Sequence, residues 1–166
     1  MPAPRWNHVV VGDWPDDTGM HFALSPKVGG ESKREGSVVR REVLVVEDDL
    51  ALRRLVTAAV ASCGLQVRGA ENGIEALALV REQIPDLIVL DLQLPEMDGR
   101  EFLNQVRSSR RCRDIPVVVT SAAYNVSSQT LQELDVQAFV AKPFDLDELL
   151  NIIEQLSRSS VLSHLA

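Results

Sequence analysis

From Glu42 onward, short apolar runs alternate with stretches whose apolar residues recur at helical spacing. Val43–Val46 is a β-branched run of the kind that forms a strand buried on both faces. Leu52, Leu55, Val56, Ala59 and Val60 then mark a helix over Asp49 to Cys63, with Gly64 as its stop. Leu65–Ala70 reads as a second strand. Asn72 caps a second helix whose apolar face is Ile74, Leu77, Ala78 and Ile84, and Pro85 ends it. Leu87–Asp91 is the third strand, and Leu94-Pro95-Glu96-Met97-Asp98-Gly99 is a loop punctuated by Pro and Gly. Phe102, Leu103 and Val106 mark a third helix, Ile115–Thr120 a fourth strand, Leu131 and Leu134 a weak fourth helix, and Gln137–Ala141 a fifth strand. Asp145 caps a last helix with Leu146, Leu149, Leu150, Ile153 and Leu156 on one face, and Glu148 completes a capping box. Five such βα units predict an α/β fold with a doubly wound, five-stranded parallel sheet covered on both sides.

Residues 1–41 break this pattern. They hold Trp6, Trp14, four prolines and the Gly29-Gly30 pair without a sustained period, and the sequence predicts a mostly disordered extension. Two tryptophans leave docking on the domain or on a partner as a second reading. A translation start near Met20 or Val38-Val39 is a third. The expected organisation is therefore an extension over 1–41, a domain over 42–158 and a short tail over 159–166.

Composition adds boundaries. The 166 residues are 45% hydrophobic and 25% charged, ordinary for one soluble domain with some excess. No apolar stretch is long enough to span a bilayer, and Val9-Val10-Val11 is too short for a signal core, so a cytoplasmic protein is expected. Cys63 and Cys112 read as small buried or half-buried thiols without a disulfide. The net charge is −7, carried by the domain, where nineteen acidic residues face eleven basic ones. That balance argues against nonspecific nucleic-acid binding. Arg107, Arg110, Arg111 and Arg113 are the local exception, read as cations solvating a helix end.

The candidate chemistry lies at strand ends, where open α/β sheets build their sites. Asp48 and Asp49 follow the first strand and Asp91 ends the third. At ~5 Å and an effective dielectric of about 20, each carboxylate pair costs roughly 3 kcal/mol. A hard divalent cation such as Mg²⁺ relieves that repulsion and leaves room for a phosphate oxygen. The competing reading is helix capping at Leu50, and a third is that one of the adjacent pair serves both purposes. On the metal reading, Asp49→Ala would raise the stability of the metal-free protein. Lys142, before Pro143, is a point charge for a carboxylate or phosphate, and a cis bond there would re-aim it into the crevice. Thr120 offers a hydroxyl donor beside the small Ser121 and Ala122. Phe139 alone reads as a core aromatic. Together, a metal trap, a hydroxyl and a lysine around Asp91 point to a phosphoryl group placed on that aspartate.

Glu47-Asp48-Asp49 after an apolar strand, Asp91 through Gly99, Thr120-Ser121-Ala122 and Lys142-Pro143-Phe144 together resemble the receiver domain of two-component response regulators, over about 42–158. The resemblance implies a flavodoxin-like three-layer sandwich with strand order 2-1-3-4-5 and five helices. It implies that Asp91 accepts a phosphoryl group from a sensor histidine kinase or histidine phosphotransfer protein. Asp49, Asp91 and the backbone carbonyl of Gln93 would bind Mg²⁺ directly, and Asp48 through water. Lys142 would pair with the phosphate, and Thr120 and Phe139 would act as switch residues. Partner binding would change on the face of the fourth helix, fifth strand and fifth helix, which also serves some receivers as a homodimer contact.

Gln93 and Ala122 stand at positions that vary in the family and set phosphoryl lifetime. The chain ends after the last helix, so the likeness is to single-domain, chemotaxis-regulator-like proteins that signal through a downstream protein, without direct DNA or membrane binding. Two alternatives stand beside this: a phosphorylation-independent interaction module, and a fragment of a larger regulator or hybrid kinase. The chain is not expected to be an enzyme beyond Mg²⁺-dependent self-phosphorylation and autodephosphorylation. A haloacid-dehalogenase-type phosphatase would want its two acids two residues apart after the first strand, plus a cap domain.

Overall fold

The computed structural model describes residues 41–122 and 133–163, with side chains as far as Arg158. The elements follow the alternating pattern: β1 (Glu42–Val46), α1 (Leu50–Ser62), β2 (Gln66–Ala70), α2 (Gly73–Glu82), β3 (Leu87–Asp91), α3 (Gly99–Ser108), β4 (Val117–Ser121), β5 (Ala138–Ala141) and α4 (Leu146–Ser163). The five strands are parallel in the order β2-β1-β3-β4-β5. Most of the predicted helix at Leu131, and all of the N-terminal extension up to residue 40, lie outside the described residues.

Burial explains the order. β1, β3 and β4 are buried at every residue, which suits inner strands covered on both faces, whereas β2 and β5 are partly exposed edges. Val43, Val45, Leu87, Val89, Val118 and Val140 point to one face and pack with Val56 and Val60 of α1 and Leu149 and Ile153 of α4. With period 2, Leu44, Val46, Ile88 and Leu90 point to the other face, where α2 and α3 lie against each other. Phe102, Leu103 and Val106 are buried there, as the helical spacing predicts.

Several boundaries and faces shift from the sequence reading. β4 begins at Val117 instead of Ile115, because Pro116 has no N–H to donate; its carbonyl accepts from Ile88 N–H at 3.0 Å. The buried stripe of α2 is Ala76, Leu77 and Val80, and Ile74 is exposed. Leu55 of α1 is exposed as well, which narrows that helix's buried face to Val56, Val60 and the half-buried Leu52. Cys112 is buried as expected, but Cys63, the C-cap of α1, is exposed, and both thiols are free. Gly64 follows it at φ +81, the left-handed conformation that ends helices.

The basic cluster also divides. Arg107 is a structural tie, not a solvated charge: its guanidinium donates to the carbonyls of Arg113 and Ile115 at 2.8 Å and to that of Asp135 at 2.7 Å. It joins the end of α3 to the turn before β5. At the far end of the sheet, Arg68 donates to the carboxylate of Glu42 and to the carbonyl of Leu79 at 2.8 Å, which also accepts the N–H of Gln83 at 3.0 Å, so the arginine ties β2 to the last turn of α2.

Candidate functional site

The C-terminal ends of β1, β3, β4 and β5 share one edge of the sheet, and the chemistry gathers there. Asp91 is the last residue of β3 and lies opposite Thr120 of β4, which lies opposite Val140 of β5. Glu47 and Asp48 follow β1 directly, and Lys142 follows β5. The backbone of Lys142 is fixed by its N–H donating to the carbonyl of Ser121 at 2.9 Å, and the Lys142–Pro143 peptide is cis.

From that position the Lys142 ammonium donates to Glu47 Oε2 at 2.6 Å and to Asp91 Oδ2 at 2.5 Å. The other oxygen of Asp91 accepts from the N–H of Gln93 at 2.8 Å. Both carboxylates are deeply buried, Asp91 at 3% exposure and Glu47 at 4%. Burial pushes the Glu47 carboxyl above its usual range, and the nearby charge of Asp91 adds to that, against the hydrogen bond and charge of Lys142. Burial alone would lower Lys142, but its hydrogen bonds and ion pairs with Asp91 and Glu47 prevail and raise it. The ammonium is therefore held charged between two carboxylates.

One carboxylate oxygen each from Glu47, Asp48 and Asp91 lie within 4.8 Å of one another. These are hard oxygen donors of the kind Mg²⁺ takes, and the exposed Asp48 leaves an open side for water. The residues therefore fit the divalent cation that the sequence implied. The set differs from the expected one by a single register step. Asp49 is the N-cap of α1, its Oδ1 accepting from Leu52 N–H at 2.8 Å, and it is not among the grouped carboxylates. Glu47 takes its place. The capping role of Asp49 was signalled in the sequence, because Asp49 directly precedes Leu50, the first residue of the helix.

That geometry reverses the expected effect of one substitution. Asp49→Ala removes a cap, so it should lower the stability of the metal-free protein by about 1 kcal/mol. Asp48→Ala, which takes one carboxylate out of the cluster, should raise it. Urea melts of both variants without metal would check this; a more stable Asp49→Ala would return that residue to the cluster.

Thr120 is buried at 3% exposure and Phe139 is half-buried on the edge strand, opposite Val119. Gln93 is exposed, with its N–H turned onto Asp91. An apolar cavity of about 490 Å³ opens beside Lys142, lined by Leu52, Leu55, Pro143, Phe144 and Leu146. No helix among the described residues is long and apolar enough to cross a membrane.

Comparison with known proteins agrees with this architecture. Residues 43–154 match the model of the response regulator receiver domain. The chain is 38% identical over 118 residues to the response regulator MprA of Mycobacterium sp. strain KMS, covering 70% of this chain and 50% of that protein. It is 36% identical over 118 residues to the DNA-binding dual master transcriptional regulator RpaA of Synechocystis, covering 70% and 48%. The chain thus spans about half the length of the curated relatives it matches. Among solved structures, it is similar to the chemotaxis response regulator CheY4 of Vibrio cholerae, with TM-score 0.66, 26% identity and 70% and 98% of the two chains covered. The receiver domain of the Francisella response regulator 1452 matches with TM-score 0.65 and 27% identity, covering 73% of this chain and 99% of that one. With its parallel 2-1-3-4-5 sheet and an acidic cluster at the strand ends, this chain belongs to the response regulator receiver domain family of two-component signalling proteins.

Proposed function

We propose that the domain is a phosphoacceptor switch with Asp91 as the acceptor. The observation that carries this is Lys142, whose ammonium bridges Asp91 and Glu47 inside the crevice. A carboxylate oxygen of Asp91 attacks the phosphorus of a phosphohistidine on a sensor kinase or phosphotransfer protein. The P–N bond breaks and the imidazole leaves with its electron pair. Glu47, Asp48 and Asp91 would hold Mg²⁺, which supplies positive charge to the phosphoryl oxygens. Lys142 supplies a second positive charge beside Asp91, and the N–H of Gln93 keeps one Asp91 oxygen oriented. The carbonyl of Gln93 is a further ligand on this reading.

The charge added to Asp91 then competes for Lys142, now shared with Glu47. Thr120, on the adjacent strand, donates its hydroxyl to the phosphoryl group, and Phe139 turns toward the space this vacates. The surface around β5 and α4 changes with them, and a downstream protein or a second copy of the domain reads that change.

The test is incubation with Mg²⁺ and acetyl phosphate followed by intact-mass measurement, with Asp91→Asn in parallel. Wild type should gain one phosphoryl group and the variant none. A wild type that binds Mg²⁺ and gains nothing, from acetyl phosphate or from a phosphorylated phosphotransfer protein, would leave a receiver fold retained for binding alone.

A further inference from the structure

Arg53 stands outside the acidic cluster, yet it holds the backbone that carries two of its three members. Its Nη1 donates to the carbonyl of Glu47 at 2.5 Å and to that of Asp48 at 3.2 Å. The side chain is only 15% exposed, and its other arm lies 3.7 Å from the exposed carboxylate of Glu71. The helix fixes the root of this side chain, since Arg53 N–H donates to the Asp49 carbonyl at 2.8 Å. Glu47 is also held by its own N–H, which donates to the Ala70 carbonyl at 3.0 Å, and by Lys142 on its carboxylate. Asp48 is different: its side chain is exposed, and the structure places Arg53 on its carbonyl.

The neighbouring strand makes room for this clamp. A Cβ on Gly69 of β2 would lie 3.3 Å from Arg53 Cδ, 3.5 Å from Arg53 Cγ and 3.7 Å from Thr57 Cγ2. A larger side chain there would occupy the slot in which the arginine stem runs. Gly69, Arg53 and the β1–α1 turn therefore form one connected unit.

We propose that Arg53 is a positioning residue for the divalent-cation site: it clamps the carbonyls of Glu47 and Asp48 so that their carboxylates are preset beside Asp91. The inference rests on the reading of that cluster as a cation site. Groups that orient metal ligands typically change affinity 10–100-fold when removed. Charge and positioning also predict opposite signs here. Arg53 is a cation close to a cation site, so deleting its charge should by itself tighten Mg²⁺ binding. Losing the clamp should weaken it.

The experiment is titration of the whole chain with MgCl₂, followed by amide chemical shifts of residues around Asp91, for wild type, Arg53→Gln, Arg53→Lys and Gly69→Val. Expected are a Kd raised about tenfold or more in Arg53→Gln, a smaller increase in Arg53→Lys, and weakening in Gly69→Val although Arg53 is retained. Gly69→Val also serves if Arg53→Gln does not fold. An unchanged or tighter Kd in the folded Arg53→Gln, with wild type saturating normally, overturns the positioning role and leaves the cation site standing. A wild type whose shifts do not move with Mg²⁺ removes the cation site itself, and the inference with it.

Discussion

Lys142→Met should lower the stability of the metal-free domain by about 3 kcal/mol at neutral pH, a drop in melting temperature of roughly 10–15 °C for a domain of this size. The ammonium is the shared partner of two carboxylates that are almost wholly buried. Removing it leaves Glu47 and Asp91 facing each other without a cation, and breaking a buried pair from one side leaves that charge uncompensated. Methionine keeps most of the volume and the apolar stem, so lost packing makes a small contribution.

The sign with pH follows from Glu47. Its carboxyl already lies above the usual range through burial and the charge of Asp91, and Lys142 opposes that rise. Without Lys142 it rises further. A folded-state pKa above the unfolded one means that the native state binds more protons, so stability falls as pH rises through that window. The deficit of Lys142→Met should therefore be largest at pH 8 and shrink toward pH 5. Mg²⁺ should also narrow it, because the cation replaces the missing charge and binds only the folded state. Thermal melts at both pH values, with and without MgCl₂, measure all of this. A variant as stable as wild type at pH 8 without metal would show that Lys142 does not neutralise the pair.

The same ion pairs show which parts of the site local sequence could reveal. Asp91 was readable because it ends an apolar run and has no helix start to cap. Lys142 was readable for the same reason: it follows a strand in a parallel sheet whose strand ends share one edge, and Thr120 lies one residue before the end of its strand. Glu47 was not. An acidic residue after Val46 next to two aspartates carries no local mark of burial, and the ammonium that pairs with it belongs to Lys142, 95 positions away. Arg53 was missed because its partners are backbone carbonyls, which no pattern of side-chain types displays. The helix faces went wrong in a related way. Leu55 and Ile74 fit a helical period, but the period identifies a stripe only to within a residue or so, and the sheet decides which edge is covered. The alternation of runs was enough for the α/β class and the parallel sheet, whereas the strand order came with the resemblance to receiver domains and agrees with the fully buried β1, β3 and β4 lying inside two partly exposed edges.

Gly99→Ala should be as damaging as the loss of Lys142, by a route that involves no charge. Gly99 opens α3 after the cap Asp98, and its N–H donates to the Leu92 carbonyl at 3.0 Å. A Cβ there would lie 2.3 Å from the carbonyl oxygen of Asp91, 2.7 Å from Leu92 Cα and 3.1 Å from the Asp91 carbonyl carbon. All three are backbone atoms, so no rotamer change relieves the clash. Either α3 backs away and loses its link to Leu92, or the Asp91–Leu92 peptide moves and takes the Asp91 carboxylate with it. Overpacking of this kind costs about 3 kcal/mol. Gly64→Ala separates contact from conformation. That glycine has nothing within 4 Å of its would-be Cβ but lies at φ +81, so alanine there should cost about 1 kcal/mol through the backbone alone. Denaturant melts give the ordering, and amide shifts locate the damage: Gly99→Ala should displace the signals of Asp91 to Gln93, and Gly64→Ala should leave them in place. Equal losses in the two variants, or undisturbed signals at Asp91 in Gly99→Ala, would mean that α3 absorbs the clash without touching the loop after Asp91.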